Sequence, residues 1–250
     1  MLFIIVHQVY ELWFKEIIHD MGSVRDLFAK GAIDERNLGL AISRLNRVIE
    51  IQKLLVQQIL VMETMTPLDF LDFRHHLFPA SGFQSYQFRQ IETMLGLPSS
   101  QRLTYNQKPY HIVFRDEQKE VLSDLEAHGT IFAAIEQWLE RTPFLDFGDF
   151  NFLESYTGAV RRMMESERKA IVEAPLLSEE SKAMRLEILQ NNEDYILAVT
   201  DPDQHEQMRA EGKLRLSYRA TMAALLINLY RDEPILHQPY ILLQKLSEID

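Results

Sequence analysis

The feature that most constrains this chain is a long apolar stripe at helical period with little to interrupt it. From Asp34 to about Met65 the residues Leu38, Ile42, Leu45, Val48, Ile49, Leu55, Ile59 and Met62 fall along one face of a helix. A helix of roughly thirty residues is about 45 Å long. The same three- and four-residue recurrence fills 2–30, where Gly31 supplies the stop, and no strand-like alternation of useful length interrupts it. Nine glycines and nine prolines in 250 residues are too few for a turn-dense sandwich or barrel, for collagen, or for disorder. The expectation is an all-α chain, one helical-bundle domain over residues 1–250 with roughly eight to ten helices.

Capping chemistry divides the rest. Thr66-Pro67-Leu68-Asp69 reads as a helix start, with Thr66 as cap, proline at the first helical position and an acid three residues after the cap. That helix ends near Leu77, and Phe78-Pro79-Ala80-Ser81-Gly82 reads as a turn. A further helix runs over about 83–95, residues 97–115 read as loop, and helices follow at about 116–141, 151–173, 178–199, 217–231 and 236–247. Asp34, Asp116, Asn151, Ser178 and Ser217 stand where N-caps belong, and Asp201-Pro202 marks a break before a short helix. The stretch 165–182 is the most polar and the least periodic. It predicts a solvent-facing hairpin of two helices within 165–200.

Composition removes several classes of function. With no cysteine there is no disulfide framework, no thiolate nucleophile, no zinc finger and no cysteine-ligated cluster or haem, which fits a cytoplasmic protein. A net charge of −11 disfavours a nucleic-acid surface, which needs clustered Lys and Arg. No uninterrupted apolar run reaches the roughly 18 residues of a membrane span. The opening Met1-Leu2-Phe3-Ile4-Ile5-Val6 is apolar but lacks a basic leader, and His7-Gln8 interrupts it, so it reads as the first turn of a buried helix.

Two constellations could carry chemistry. The first helix places Phe3, His7, Tyr10 and Phe14 on one face. An imidazole among Phe, Ile and Val must find a hydrogen-bond partner. Either a protein carbonyl satisfies it, or it meets a polar ligand atom inside an aromatic wall. The second constellation sets Arg74 between Phe70, Phe73 and Leu77, where a guanidinium needs a protein carboxylate or a ligand's. Ser81-Gly82 opens the next helix, whose first N–H groups can donate to an anion or an oxygen species. His75-His76 are adjacent, not one turn apart, so they are not read as a metal pair. His19, His111, His128, His205 and His237 read as surface or structural, and no HExxH, phosphate loop or GxSxG occurs.

Several blocks of residues are familiar. Leu2-Phe3-Ile4-Ile5-Val6-His7-Gln8-Val9-Tyr10-Glu11-Leu12-Trp13-Phe14-Lys15 resembles the first signature of the tryptophan 2,3-dioxygenase family. Phe73-Arg74 followed by Pro79-Ala80-Ser81-Gly82-Phe83-Gln84-Ser85 resembles its second. Glu63-Thr64-Met65-Thr66, Trp138-Leu139-Glu140-Arg141-Thr142-Pro143 and Leu216-Ser217-Tyr218-Arg219-Ala220 are similar to further family blocks, while 144–212 matches more loosely.

The resemblance implies a haem-dependent enzyme that inserts both atoms of O2 across the indole C2–C3 bond of L-tryptophan, giving N-formylkynurenine. Haem b carries the oxygen chemistry and the protein supplies binding and orientation. It implies that His7 lies on the distal side and hydrogen-bonds the indole N–H. Phe3 packs on the indole, and Phe3, Ile4, Ile5, Val6 and His7 form one wall with Tyr10 nearby. Arg74 pairs with the substrate carboxylate, Leu77 lines the pocket, and Ser81 and Gly82 approach haem and bound oxygen. Phe70 stands where many relatives carry a Tyr whose hydroxyl also meets the carboxylate, so that bond is missing here. Indoleamine 2,3-dioxygenases share the fold and reaction but not usually the distal histidine, and His7 therefore favours the tryptophan-specific branch.

The resemblance also implies a homotetramer built as a pair of interlocked dimers. A proximal haem-ligating histidine is expected beyond Asp250, in a Trp-Arg-x-x-His context, and the family's preceding helix before Met1, so no metal ligand is assigned here. Two other readings are a helical scaffold without catalysis that binds an indole-type molecule, and a dioxygenase acting on a substituted indole.

Overall fold

The long stripe becomes the backbone of the molecule. In a computed structural model, which describes residues 1–29, 35–77, 84–97, 102, 113–147 and 150–249, the helices α1 (Leu2–Ala29) and α2 (Glu35–Glu63) pack along each other. They are followed by α3 (Pro67–Leu77), α4 (Tyr86–Met94), α5 (Asp116–His128), α6 (Ile131–Glu140), α7 (Phe152–Glu173), α8 (Glu179–Thr200), α9 (Pro202–Ala210), α10 (Tyr218–Leu229) and α11 (Pro234–Ile249). The described residues thus contain eleven α-helices, and the fold is all-α. Its only described sheet is a two-residue pairing, β1 (Asp146–Phe147) antiparallel to β2 (Phe150–Asn151). Among the described residues no helix is long and apolar enough to cross a membrane.

The chain divides into two compact units, Met1–Ile135 with Pro234–Asp250, and Glu136–Glu233. In the first, α2 is gripped by α1 on one side and α11 on another. Ile17, Met21, Val24 and Phe28 of α1 and Leu45 and Val48 of α2 are almost fully buried. Each such side chain contributes about 1.5–3 kcal/mol by leaving water. Asp20 is buried in the same seam with 1% exposure. Its two carboxylate oxygens accept from Arg47 Nη1 at 3.1 and 2.9 Å, since a carboxylate taken out of water needs a cationic partner. The stripe on α2 is covered only in part. Leu38, Leu45, Val48, Ile49 and Leu55 are buried, whereas Ile59 is half exposed and Val56, Leu60 and Val61 face outward.

In the second unit, α7 and α8 form a hairpin around Val160, Met164 and Leu189, with Tyr156, Ile171 and Ile196 packed against them. Arg168 joins the two helices through Glu193 at 2.9 Å and Gln190 at 3.1 Å. Two of the sequence blocks singled out above meet here. The Ser217 amide donates to Glu136 Oε1 at 2.7 Å and its hydroxyl to Glu140 Oε1 at 2.6 Å, while Arg209 Nη2 donates to the same Glu136 oxygen at 3.0 Å.

The caps test the local reading. Thr66 and Asp69 form the expected box, with the Thr66 amide on Asp69 Oδ2 at 3.0 Å and the Asp69 amide on Thr66 Oγ1 at 3.3 Å. Asn151, Ser178 and Ser217 each accept from the amide three residues on, and so does Asp201 ahead of Pro202. Asp116 is not a cap: Arg115 holds that position and Asp116 lies inside the first turn of α5. Asp34 lies outside the described residues. The expected single helix over 116–141 is two, because Gly129 ends α5 and Thr130 starts α6 by accepting from the Ala133 amide at 3.0 Å. A Cβ at Gly129 would lie 2.8 Å from a Leu125 methyl and 3.0 Å from the Leu125 Cα, so a side chain there fits only if Leu125 shifts.

Candidate functional site

The first turn of α1 and the middle of α3 come together through aromatic rings. Phe3 lies 5.5 Å from Phe70 and 5.8 Å from Phe73, ring centre to ring centre, and Phe70 meets Phe73 edge to face at 5.5 Å. The i, i+3 spacing of Phe70 and Phe73 on α3 makes this possible, since both rings leave the same side of the helix. The cluster is only half-buried, and α3 contains no buried residue. Ile4 and Ile5 are 43% and 48% exposed, and Leu68 and Leu71 of α3 are exposed as well. The result is an open apolar platform with a polar rim.

His7 is part of that platform. Its ring lies 4.0 Å from the Phe3 ring, and its Nδ1 is 2.8 Å from the Phe3 carbonyl oxygen one turn back. A carbonyl only accepts, so Nδ1 carries the hydrogen, and in the uncharged ring Nε2 keeps its lone pair. Among the described residues nothing is bonded to Nε2, and the side chain is exposed. The histidine therefore combines the two readings left open by its sequence: a backbone carbonyl holds one edge, and the other edge is an acceptor offered outward.

The remaining expected site residues separate into groups. Leu77 is half-buried at the end of α3. Arg74 is exposed on α3 and bonded to no other described residue, contrary to the semi-buried guanidinium that its apolar neighbours suggested. Phe70 and Phe73 meet Phe3 of α1, while the arginine is exposed. Val6 points the other way, into the core at 8% exposure. The Tyr10 hydroxyl donates to the Leu55 carbonyl of α2, its ring meets Phe14 edge to face at 5.9 Å, and burial pushes its phenol up from the usual range. That hydroxyl ties α1 to α2. Ser81 and Gly82 lie outside the described residues.

Sequence reasoning passed over Glu11, one turn after His7. Its carboxylate accepts from Ser85 Oγ at 2.6 Å and from Gln87 Nε2 at 2.7 Å, joining α1 to the start of α4. No signal in the sequence points to it, since Lys15 one turn on is a sufficient local partner for the acid. His205, read from sequence as surface or structural, is fully buried: Nδ1 sits 2.9 Å from the Val199 carbonyl and Nε2 3.0 Å from that of Leu216.

Residues 1–250 match the tryptophan 2,3-dioxygenase family. The chain belongs to that family. It is 46% identical over its whole length to the tryptophan 2,3-dioxygenase of Bdellovibrio bacteriovorus, covering 70% of that protein. It is 42% identical to that of Dictyostelium discoideum, covering 62%, and 42% identical to tryptophan 2,3-dioxygenase A of Danio rerio, covering 61%. In each case all 250 residues take part, so the chain spans about two thirds of the length of these relatives.

A haem requires a flat apolar wall and an axial donor, and the described residues answer only the first. Phe3, Phe70 and Phe73 supply rings at the open platform. For the second, the His205 nitrogens both face backbone carbonyls. The described residues thus supply rings for such a wall and single out no axial ligand.

Proposed function

We propose that this chain acts in the oxidation of L-tryptophan to N-formylkynurenine, by insertion of both oxygen atoms of O2 across the indole C2–C3 bond. The observation that carries this reading is the family match over all 250 residues. Haem b, when bound, supplies the dioxygen chemistry. The chain's own residues bind and orient the substrate. The indole lies against Phe3 and Phe70, and its N–H donates to His7 Nε2, the acceptor left open by the Nδ1 bond to Phe3. The exposed Arg74 guanidinium pairs with the substrate carboxylate at the platform's edge. Phe70 offers no hydroxyl there, so Arg74 provides the charged contact without that second donor. Ser81 and Gly82 line the oxygen side, the two compact units belong to one catalytic domain, and the protein works as a cytoplasmic homotetramer.

The test uses the full-length protein. It is expected to develop a Soret band and to convert L-tryptophan and O2 to N-formylkynurenine, with substituted indoles turned over more slowly. A haem-loaded protein that leaves tryptophan unchanged refutes the substrate assignment. Arg74→Ala is expected to weaken tryptophan binding by about 2 kcal/mol, a roughly thirty-fold rise in Kd. Unchanged affinity in that variant removes Arg74 from the site.

A further inference from the structure

Helix α1 does more than present His7. One turn before the histidine, Phe3 engages Phe70 and Phe73 of α3 at 5.5 and 5.8 Å. One turn after it, Glu11 engages α4. The two elements that flank residues 78–83 are therefore both fastened to α1, at sites on either side of His7.

The α4 attachment is a small network with its donors and acceptors fully specified. Ser85 is the N-cap of α4, and its hydroxyl oxygen accepts from the Phe88 amide at 3.2 Å. The same hydroxyl donates to Glu11 Oε1 at 2.6 Å, so it is used in both directions. Gln87 Nε2 donates to Glu11 Oε2 at 2.7 Å and to the Glu11 carbonyl at 2.9 Å. Two donors thus converge on the two oxygens of one carboxylate, a demand an ionised acid meets and an amide meets only by half. The carboxylate also lies at the positive end of the α4 dipole. Glu11, Ser85 and Gln87 are all partly buried, which shields the network from water.

From this arrangement we infer that Glu11 is a positioning residue: it fixes the start of α4 on α1 in register with His7. The inference rests on the functional reading above. Ser81 and Gly82, assigned there to the oxygen side, precede Ser85 by only a few residues in the chain. Glu11 touches neither substrate nor oxygen. Its effect is to hold the start of α4 at a fixed place along α1 from His7, the group that holds the indole.

The experiment compares Glu11→Ala and Glu11→Gln with wild type in the full-length, haem-loaded protein. Glu11→Ala is expected to lower kcat per haem about tenfold while KM for tryptophan stays within about threefold, because register is lost and the binding groups are kept. Glu11→Gln, with one acceptor oxygen left, is expected to recover part of that loss. Amide exchange over residues 84–90 is expected to rise in Glu11→Ala by about tenfold or more, since the cap loses its anchor. A Glu11→Ala protein with wild-type kcat per haem and only a lowered Tm overturns the proposal and leaves a plain structural tie. If that variant does not fold, Ser85→Ala removes the shared hydroxyl and keeps the Gln87 bond. It is expected to lose about threefold in kcat, and wild-type kcat in it overturns the proposal equally. A wild-type protein that leaves tryptophan unchanged sinks the functional reading instead. Amide exchange then decides the anchoring alone, and unchanged exchange in Glu11→Ala overturns it.

Discussion

His7 stands exposed near the start of α1 with Nδ1 bonded to the Phe3 carbonyl at 2.8 Å and Nε2 open among the described residues. His205, near the start of α9, is wholly buried, with the Val199 carbonyl at 2.9 Å on one ring edge and the Leu216 carbonyl at 3.0 Å on the other. Tyr218 adds an edge-to-face contact at 5.6 Å to His205, whereas His7 lies tilted over Phe3 at 4.0 Å. The two imidazoles differ less in their first partner than in what remains afterwards. One ring has a backbone carbonyl at each nitrogen, and the other has one nitrogen open among the described residues. Burial between two backbone carbonyls marks a histidine that holds structure together, and an exposed ring on an open aromatic platform marks one available to a ligand.

The comparison breaks most readily at His205. Replacing it with alanine removes a fully buried ring from between two carbonyls and leaves a cavity behind, so His205→Ala is expected to cost about 3 kcal/mol of stability in chemical denaturation. Tryptophan affinity of the folded protein should be retained. A loss below about 1 kcal/mol means that water replaces the ring and that the residue is not the staple its geometry implies. The complementary variant, His7→Ala, is expected to change stability by less than about 0.5 kcal/mol, as an exposed site does, yet to lower kcat/KM roughly tenfold through the lost bond to the indole N–H. If His7→Ala destabilises as His205→Ala does, the distinction between the two histidines collapses.

The sequence carried the local part of this fold and little of what joins distant segments. Helix starts at Thr66, Asn151, Ser178 and Ser217 were legible because a cap is a contact between residues three apart. The break at Gly129-Thr130 was missed although its signal was present, a glycine stop followed at once by a hydroxyl cap. Spacing put Phe3 and His7 on one face of α1, and their rings lie 4.0 Å apart, with Phe70 5.5 Å from Phe3. The exposure of Arg74 was not legible, since it depends on which side of α3 turns toward α1. Glu11 was invisible for the same reason. Its partners lie 74 and 76 residues away, and nothing in local periodicity connects them.

The smallest expected effect concerns how the site helix is held. His205 is fixed by burial, but α3 has no buried residue, so local contacts weigh more in its stability. The Thr66 hydroxyl, donating to Asp69 Oδ2 at 2.7 Å, and then the Thr66 amide hold the Asp69 carboxyl below the usual aspartate range. A carboxyl whose folded value is depressed adds stability above its unfolded value, about 4, and loses that stability as pH falls through the lower folded value. Asp69→Asn removes the titration and keeps the shape. At pH 7 the wild type should therefore be slightly more stable than Asp69→Asn, and the difference should shrink steadily once pH drops below about 4. Denaturation curves for both proteins across that interval measure it. A difference that holds constant or grows toward acid means that the cap does not contribute through its charge, and the platform must then be secured by its aromatic contacts with α1 alone.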